Sequence, residues 1–316
     1  MSSIPYIEGL DVSKHQGSPD WDIIAATERY DFVICKATEG RGYVDPKWLE
    51  NAAKLRGTGM LWGGYHFARP STVGGRADGE AEALDFAKAL RRANCEGLGT
   101  LPPALDWEEY PQRKIADNLA WIEGFVSVIE AELGRSPMIY TGKNVWNHTT
   151  GNSAKWIHLP LWQVSYTAGA APAKGLPWAK WSIWQWSGGG TINFATDSVP
   201  SITGAVDRNR YWADRNSLNA LATPTIWTPD SPWNPDSEAH VPGTDRPEVE
   251  PDKPTVEPDP IPALRPEINE LVALYQETSE WLSDLMGAAS AIQARHEAMG
   301  ELIATLYRNG REGGAR

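Results

Sequence analysis

The chain has 316 residues, 41% of them hydrophobic and 22% charged, enough apolar material for about two domains. A net charge of -12 argues against nucleic-acid binding, and two cysteines, Cys35 and Cys95, are too few for a disulfide framework or a cysteine zinc site. No apolar run reaches the roughly 18 residues of a membrane span, and the first residues lack the basic and apolar regions of a secretory signal. The charge is uneven. Residues 1–222 hold 24 acids and 22 bases, whereas 223–262 hold 9 acids, 2 bases and 11 of the 24 prolines. Proline has no N–H and a fixed φ, so 223–262 reads as an acidic, extended linker between a domain at 1–222 and a C-terminal segment at 263–316.

In chain order, the first domain alternates short apolar runs with amphipathic stretches. Strands are predicted at Tyr6–Val12, Asp31–Ala37, Leu61–Phe67, Pro103–Glu108 and Pro137–Thr141. Helices are predicted between them at Trp21–Glu28, Pro46–Arg56, Arg76–Ala93 and Ile115–Leu133. After that the helices thin out, and Leu159–Tyr166, Trp181–Trp186 and Gly204–Asp207 read as strands joined by loops. The pattern predicts an α/β fold: a β/α barrel of eight strands with irregular closing strands. An open doubly wound sheet is the rival, weakened because no Gly-rich phosphate loop follows the first strand.

Carboxylates fall at the ends of these strands: Asp11 on the first, Asp106 and Glu108 on the fourth, and Asp207 on the last. Residues i and i+2 share a strand face, so Asp106 and Glu108 point the same way. In a barrel all four meet at the C-terminal rim, where active sites are built. Clustered carboxylates repel, and at least one keeps its proton near neutral pH. A protonated acid beside ionised ones is what glycosidic cleavage requires. The alternative for each is a solvated or ion-paired group at a strand end. Sixteen tryptophans suit a sugar substrate, since aromatic faces stack on pyranose rings; Trp107, Trp162, Trp184 and Trp186 lie near strand ends, although buried packing is the default use of an aromatic. His66 reads as a hydrogen-bonded core residue, Lys36 and Glu39 as a pair, and Cys35 as a buried thiol. The six histidines show no metal-binding spacing, so neither a metal nor another cofactor is expected.

Eight short segments, in order, resemble glycoside hydrolase family 25, the lysozymes of N-acetylmuramidase type found in many phage endolysins. They are Asp11-Val-Ser-Lys-His-Gln-Gly17, Lys36-Ala-Thr-Glu-Gly40, Gly64-Tyr-His-Phe-Ala68, Leu105-Asp-Trp-Glu108, Ile139-Tyr-Thr141, Leu161-Trp-Gln-Val-Ser-Tyr166, Ile183-Trp-Gln-Trp186 and Val206-Asp-Arg-Asn209. The resemblance covers residues 4–212. It implies retaining hydrolysis of the β-1,4 bond between N-acetylmuramic acid and N-acetylglucosamine in peptidoglycan. On the family pattern Glu108 is the general acid, and Asp11, Asp106 and Asp207 line its pocket. Tyr65, Trp107, Tyr140, Trp162, Tyr166, Gln185 and Trp186 are the expected substrate contacts. The resemblance and the missing signal also imply a protein made in the host cytoplasm and released to the wall through a holin. A non-catalytic wall-binding or virion structural protein that uses the barrel as a sugar clamp is the alternative, and the intact Asp106/Glu108 pair speaks against it.

From Leu264 positions recur in alternating steps of four and three through Ile268, Leu271, Tyr275, Thr278, Leu282, Leu285, Ala289, Ile292, His296, Met299 and Ile303 to Leu306, the coiled-coil period, and only Thr278 and His296 among them are polar. Val272, Leu274, Trp281, Met286 and Leu302 widen the stripe. The segment is expected to form a helix that makes the protein a homo-oligomer of three or four chains; a helix folded onto the barrel and a wall-targeting element are the alternatives.

Overall fold

The computed structural model describes residues 6–228, apart from 73, 112, 168–170, 173, 190–193 and 196. The expected C-terminal helix and nearly all of the expected linker lie outside the described residues.

Eight strands close into a barrel: β1 (Ile7–Val12), β2 (Phe32–Glu39), β4 (Leu61–Phe67), β5 (Ala104–Asp106), β6 (Met138–Thr141), β7 (Leu161–Val164), β8 (Ile183–Ser187) and β9 (Asp207–Tyr211). A two-residue strand, β3 (Tyr43–Val44), folds back on β2. Pairing runs parallel from β1 through β2, β4, β5, β6 and β7 to β8. The ring closes through β9, which is antiparallel to both β8 and β1. Helices α1 (Trp21–Ala25), α2 (Trp48–Leu55), α3 (Gly75–Arg92), α4 (Ile115–Leu133), α5 (Lys143–Thr150) and α6 (Arg215–Leu221) follow β1, β3, β4, β5, β6 and β9. Among the described residues no helix is long and apolar enough to cross a membrane.

Strand β4 and helix α4 fall at the bounds their patterns predict, because β4 is a short, largely buried run and α4 carries an unbroken helical period. Helix α5 escapes the pattern: Asn, Val, Thr and His are poor helix formers, and its only strong signal is the stop at Gly151, φ 65°. The last strand differs most. The sequence points to Gly204–Asp207 with Asp207 at its end, whereas β9 begins at Asp207. Its residues, Asp-Arg-Asn-Arg-Tyr, are polar on both faces and give no hydrophobic alternation to detect. The folded body also reaches past the expected boundary at residue 222. Thr225 accepts a bond from the Ser136 N–H, and Trp227 is buried with its N–H on Ser136 Oγ.

The core lies between the barrel and its helices. His66 is wholly buried there. Its Nδ1 meets Thr38 Oγ1 at 2.7 Å and its Nε2 meets Glu82 Oε2 at 2.8 Å, with the ring between Phe86 and Phe125. Helices α3 and α4 approach backbone to backbone through two glycines. A Cβ on Gly79 would stand 2.1 Å from the Trp121 carbonyl oxygen, and one on Gly124 would stand 2.4 Å from that of Arg76. Alanine at position 124 gains about 1 kcal/mol of helix propensity, but overpacking against rigid backbone costs about 1–3 kcal/mol. Gly124→Ala is therefore expected to lower the melting temperature by a few degrees in calorimetry; an unchanged or raised value contradicts the close approach.

Candidate active site

Four acids converge at one rim of the barrel. Asp11 sits near the end of β1 and Asp106 at the end of β5, both buried. Asp207 opens β9, and because β9 runs against its neighbours, its first residue lies where the parallel strands end. Asp11 and Asp207 are direct register partners. Glu108 lies two residues beyond β5, and the peptide between it and Asp106 is tied down by the Trp107 N–H on the Tyr140 carbonyl.

A fixed polar frame orients these groups. Gln185 on β8 donates through Nε2 to Asp11 Oδ2 at 2.8 Å, and Asn209 on β9 donates through Nδ2 to the same oxygen at 2.7 Å. The hydroxyls of Tyr140 and Tyr166 both donate to Gln185 Oε1, at 2.8 and 2.9 Å. Two donors on that oxygen leave the amide one orientation, with its NH2 facing Asp11. Trp162 Nε1 donates to Asn209 Oδ1 at 2.7 Å and fixes the second amide in the same way. Tyr65 and Tyr140 both meet the Trp162 ring edge-on, at 6.2 and 4.6 Å.

Burial raises all four acids above the ordinary carboxylate range, and repulsion from neighbouring acids adds to it for Asp11, Asp106 and Glu108. For Asp11 burial dominates, the charge of Asp207 adds to it, and the amides of Gln185 and Asn209 offset part. For Asp106 burial comes first and Glu108 second, with Lys36 opposing. Burial also raises Asp207, against a hydrogen bond from the Gly189 N–H. Glu108 is pushed up to about 7, by burial and then by the charges of Glu109 and Asp207, while the nearby Tyr140 hydroxyl opposes the rise. Asp106 Oδ1 is buried without a hydrogen-bond partner in the protein. The cluster thus holds protons near neutrality, and Glu108, more accessible than Asp106 or Asp11, is placed to pass one outward.

Of the expected substrate contacts, Tyr65, Tyr140, Tyr166 and Gln185 meet the carboxylates, and Trp162 lies beneath them. Trp107 does not. Its neighbours Asp106 and Glu108 face the site, so it points to the helices, where it is buried on Trp121 at 5.3 Å and donates to Thr149 Oγ1. Trp186 lies under the Arg210 guanidinium, 4.2 Å away, on the outer face, opposite Gln185. Trp184, also near a strand end, is buried with its N–H on the Ser165 carbonyl. Asn209 was not among the expected contacts, although it stands two residues after Asp207 and hence on the same strand face. Lys36 bonds Glu39, as expected, and its charge also reaches Asp106 and Glu108.

The model of the glycosyl hydrolases, family 25, matches residues 10–193. The chain belongs to this family. It is accordingly a glycoside hydrolase. Lysozyme M1 of Streptomyces globisporus is 31% identical over 226 residues, 69% of this chain and 72% of that protein. An N,O-diacetylmuramidase of Chalaropsis is 32% identical over 211 residues, 62% of this chain and 97% of that one. Among solved structures, the bacterial lysozyme of Streptomyces coelicolor superposes with a TM-score of 0.58 at 31% identity, over 69% of this chain and 97% of that one. The family match ends at residue 193, before the proline-rich and heptad stretches.

The raised Glu108 pKa has a consequence for stability. Its folded value, about 7, exceeds the ordinary 4.5, so the folded state binds the proton more tightly than the unfolded one. Stability then falls as pH rises through the window from about 4.5 to about 7. Glu108→Gln removes the buried charge and is expected to melt higher than the parent at pH 8, with the difference closing near pH 4. Equal melting temperatures at pH 8 contradict the assignment.

Proposed function

We propose that this glycoside hydrolase cleaves peptidoglycan as a muramidase, at the β-1,4 bond between N-acetylmuramic acid and N-acetylglucosamine. The observation that carries the reading is Glu108, held protonated near neutrality at a rim shared with three further buried acids. The family's curated relatives named lysozyme and N,O-diacetylmuramidase support the substrate. Glu108 gives its proton to the glycosidic oxygen as the bond to the anomeric carbon breaks. The negative charge that the cluster retains, shared with Asp106, stabilises the positive charge that develops there. Water completes the substitution at the anomeric carbon, and its proton returns to Glu108. In this reading Tyr65, Tyr140 and Tyr166 contact the sugar and its acetamide group, and the protein is an endolysin that reaches the wall through a holin.

Digestion of purified walls is expected to release chains with muramic acid at the new reducing end; N-acetylglucosamine there would identify a glucosaminidase instead. Glu108→Gln is expected to cut turnover by about 10²–10⁴-fold with the fold retained. Asp106→Asn is also expected to be severe, and near-parental lysis by either variant contradicts its assigned role.

The heptad pattern from Leu264 to Leu306 supports assembly of several catalytic heads on one helical bundle, joined by the acidic linker. Light scattering on the full chain is expected to give three or four copies of the 34.8 kDa chain; a monomer at micromolar concentration contradicts assembly.

A further inference from the structure

A cavity of about 360 Å³ opens on the outer flank of the barrel beside β7, β8 and β9 and reaches the end away from the carboxylates. Its walls include Tyr6, just before β1, Trp181, two residues before β8, and Trp212, just after β9. Asp11 and Asp207 lie at the other ends of β1 and β9. Trp212 is five residues from Asp207, about 16 Å along the strand. The remaining wall comes from Gln163 on β7 and from the segment joining β7 to β8, whose described residues form no helix and contribute Lys174, Leu176 and Lys180.

The chemistry of this wall differs from the rest of the barrel. Of the fourteen tryptophans among the described residues, only Trp181, Trp186 and Trp212 are not buried, and two of these three line the cavity. Trp181 packs on Tyr6 at 6.0 Å, and Lys180 Nζ stands 5.5 Å over the Trp212 ring. Lys174 and Lys180 are exposed, and no acid lines the cavity in a chain that carries net charge -12. Half-exposed aromatic rings offer apolar faces to sugar rings, and paired cations attract carboxylates. The volume is at the small end of ligand pockets, which run from about 300 Å³ upward.

We propose that this cavity is a second glycan-binding site, for a carboxylate-bearing stretch of the polymer that the rim cleaves. The proposal rests on the peptidoglycan reading above. N-acetylated pyranose rings stack on Trp181 and Trp212, and carboxylates of the wall peptides pair with Lys174 and Lys180. A polymer held at both ends of the barrel dissociates more slowly than one held at the rim alone, whereas a short fragment occupies the rim without touching the second site.

The test uses the full chain with Glu108→Gln, so that walls are bound and not digested, and purified insoluble peptidoglycan as the probe. Adding Lys174→Glu with Lys180→Glu, both on the surface, is expected to weaken sedimentation with the walls about ten-fold, and adding Trp212→Ala to weaken it similarly. With Glu108 restored, the lysine variant is expected to cleave a short soluble glycan fragment at the parental rate and intact walls more slowly. Parental wall binding by the lysine variant overturns the proposal, as does equal loss on the short fragment and on walls. If the parent releases no reducing muramic acid from walls, the peptidoglycan reading itself fails; if it does and the variants bind as the parent, only the second site falls.

Discussion

Putting four carboxyl groups at one rim of a small barrel is electrostatically unfavourable, and the rest of the site is arranged around that cost. Asp11 and Asp106 are buried, and the charges of Asp207 and Glu108 raise the cost of ionising them further. The fold answers with neutral donors more than with cations. Two amides meet Asp11, a backbone N–H meets Asp207 and a phenol lies near Glu108, while Lys36 supplies one nearby positive charge. Neutral donors soften the repulsion without cancelling it, so Glu108 holds a proton at a pH where an exposed glutamate has lost its own. The same frame fixes geometry. Tyr140, Tyr166 and Trp162 lock the amides of Gln185 and Asn209, and those amides lock Asp11.

The reversal of β9 makes this cluster possible. A parallel last strand beginning at Asp207 would place that residue at the opposite rim. Running antiparallel, β9 brings Asp207 opposite Asp11 and sends Asn209 inward, two residues on. The outer face of β9 is equally polar: Arg210 pairs with Glu8 and stacks over Tyr6, Trp184 and Trp186. Here aromatic rings and a guanidinium cover the flank that a helix covers elsewhere in the barrel. At the base of that flank Trp181 and Trp212 retain exposed ring surface. Catalytic rim and aromatic base are two results of the same closing strands.

Much of this was legible in the sequence where hydrophobic period and residue type agree. The parallel strands, the long helices α3 and α4, and the strand-end positions of Asp11 and Asp106 follow from apolar runs of the right length. The last strand did not follow, because Asp-Arg-Asn-Arg-Tyr satisfies its polar groups on both faces and shows no period. Trp107 illustrates a signal that was present and overridden: with Asp106 and Glu108 facing the site, alternation already sends the residue between them to the helices. Asn209 carried the converse signal, since it shares a strand face with Asp207. The partners of His66, by contrast, come from β2 and α3, a long-range arrangement that no local pattern encodes.

The central claim is that Glu108 keeps its proton to near pH 7 because of where it is buried and what surrounds it. Carbon-13 NMR on protein labelled at the glutamate side-chain carboxyls, with Glu108→Gln to assign the resonance, measures this directly. The account predicts a titration midpoint near 7 that falls when Asp207 is replaced by Asn, since the Asp207 charge is one of those holding it up. A midpoint near the ordinary 4.5, unmoved by Asp207→Asn, would contradict it.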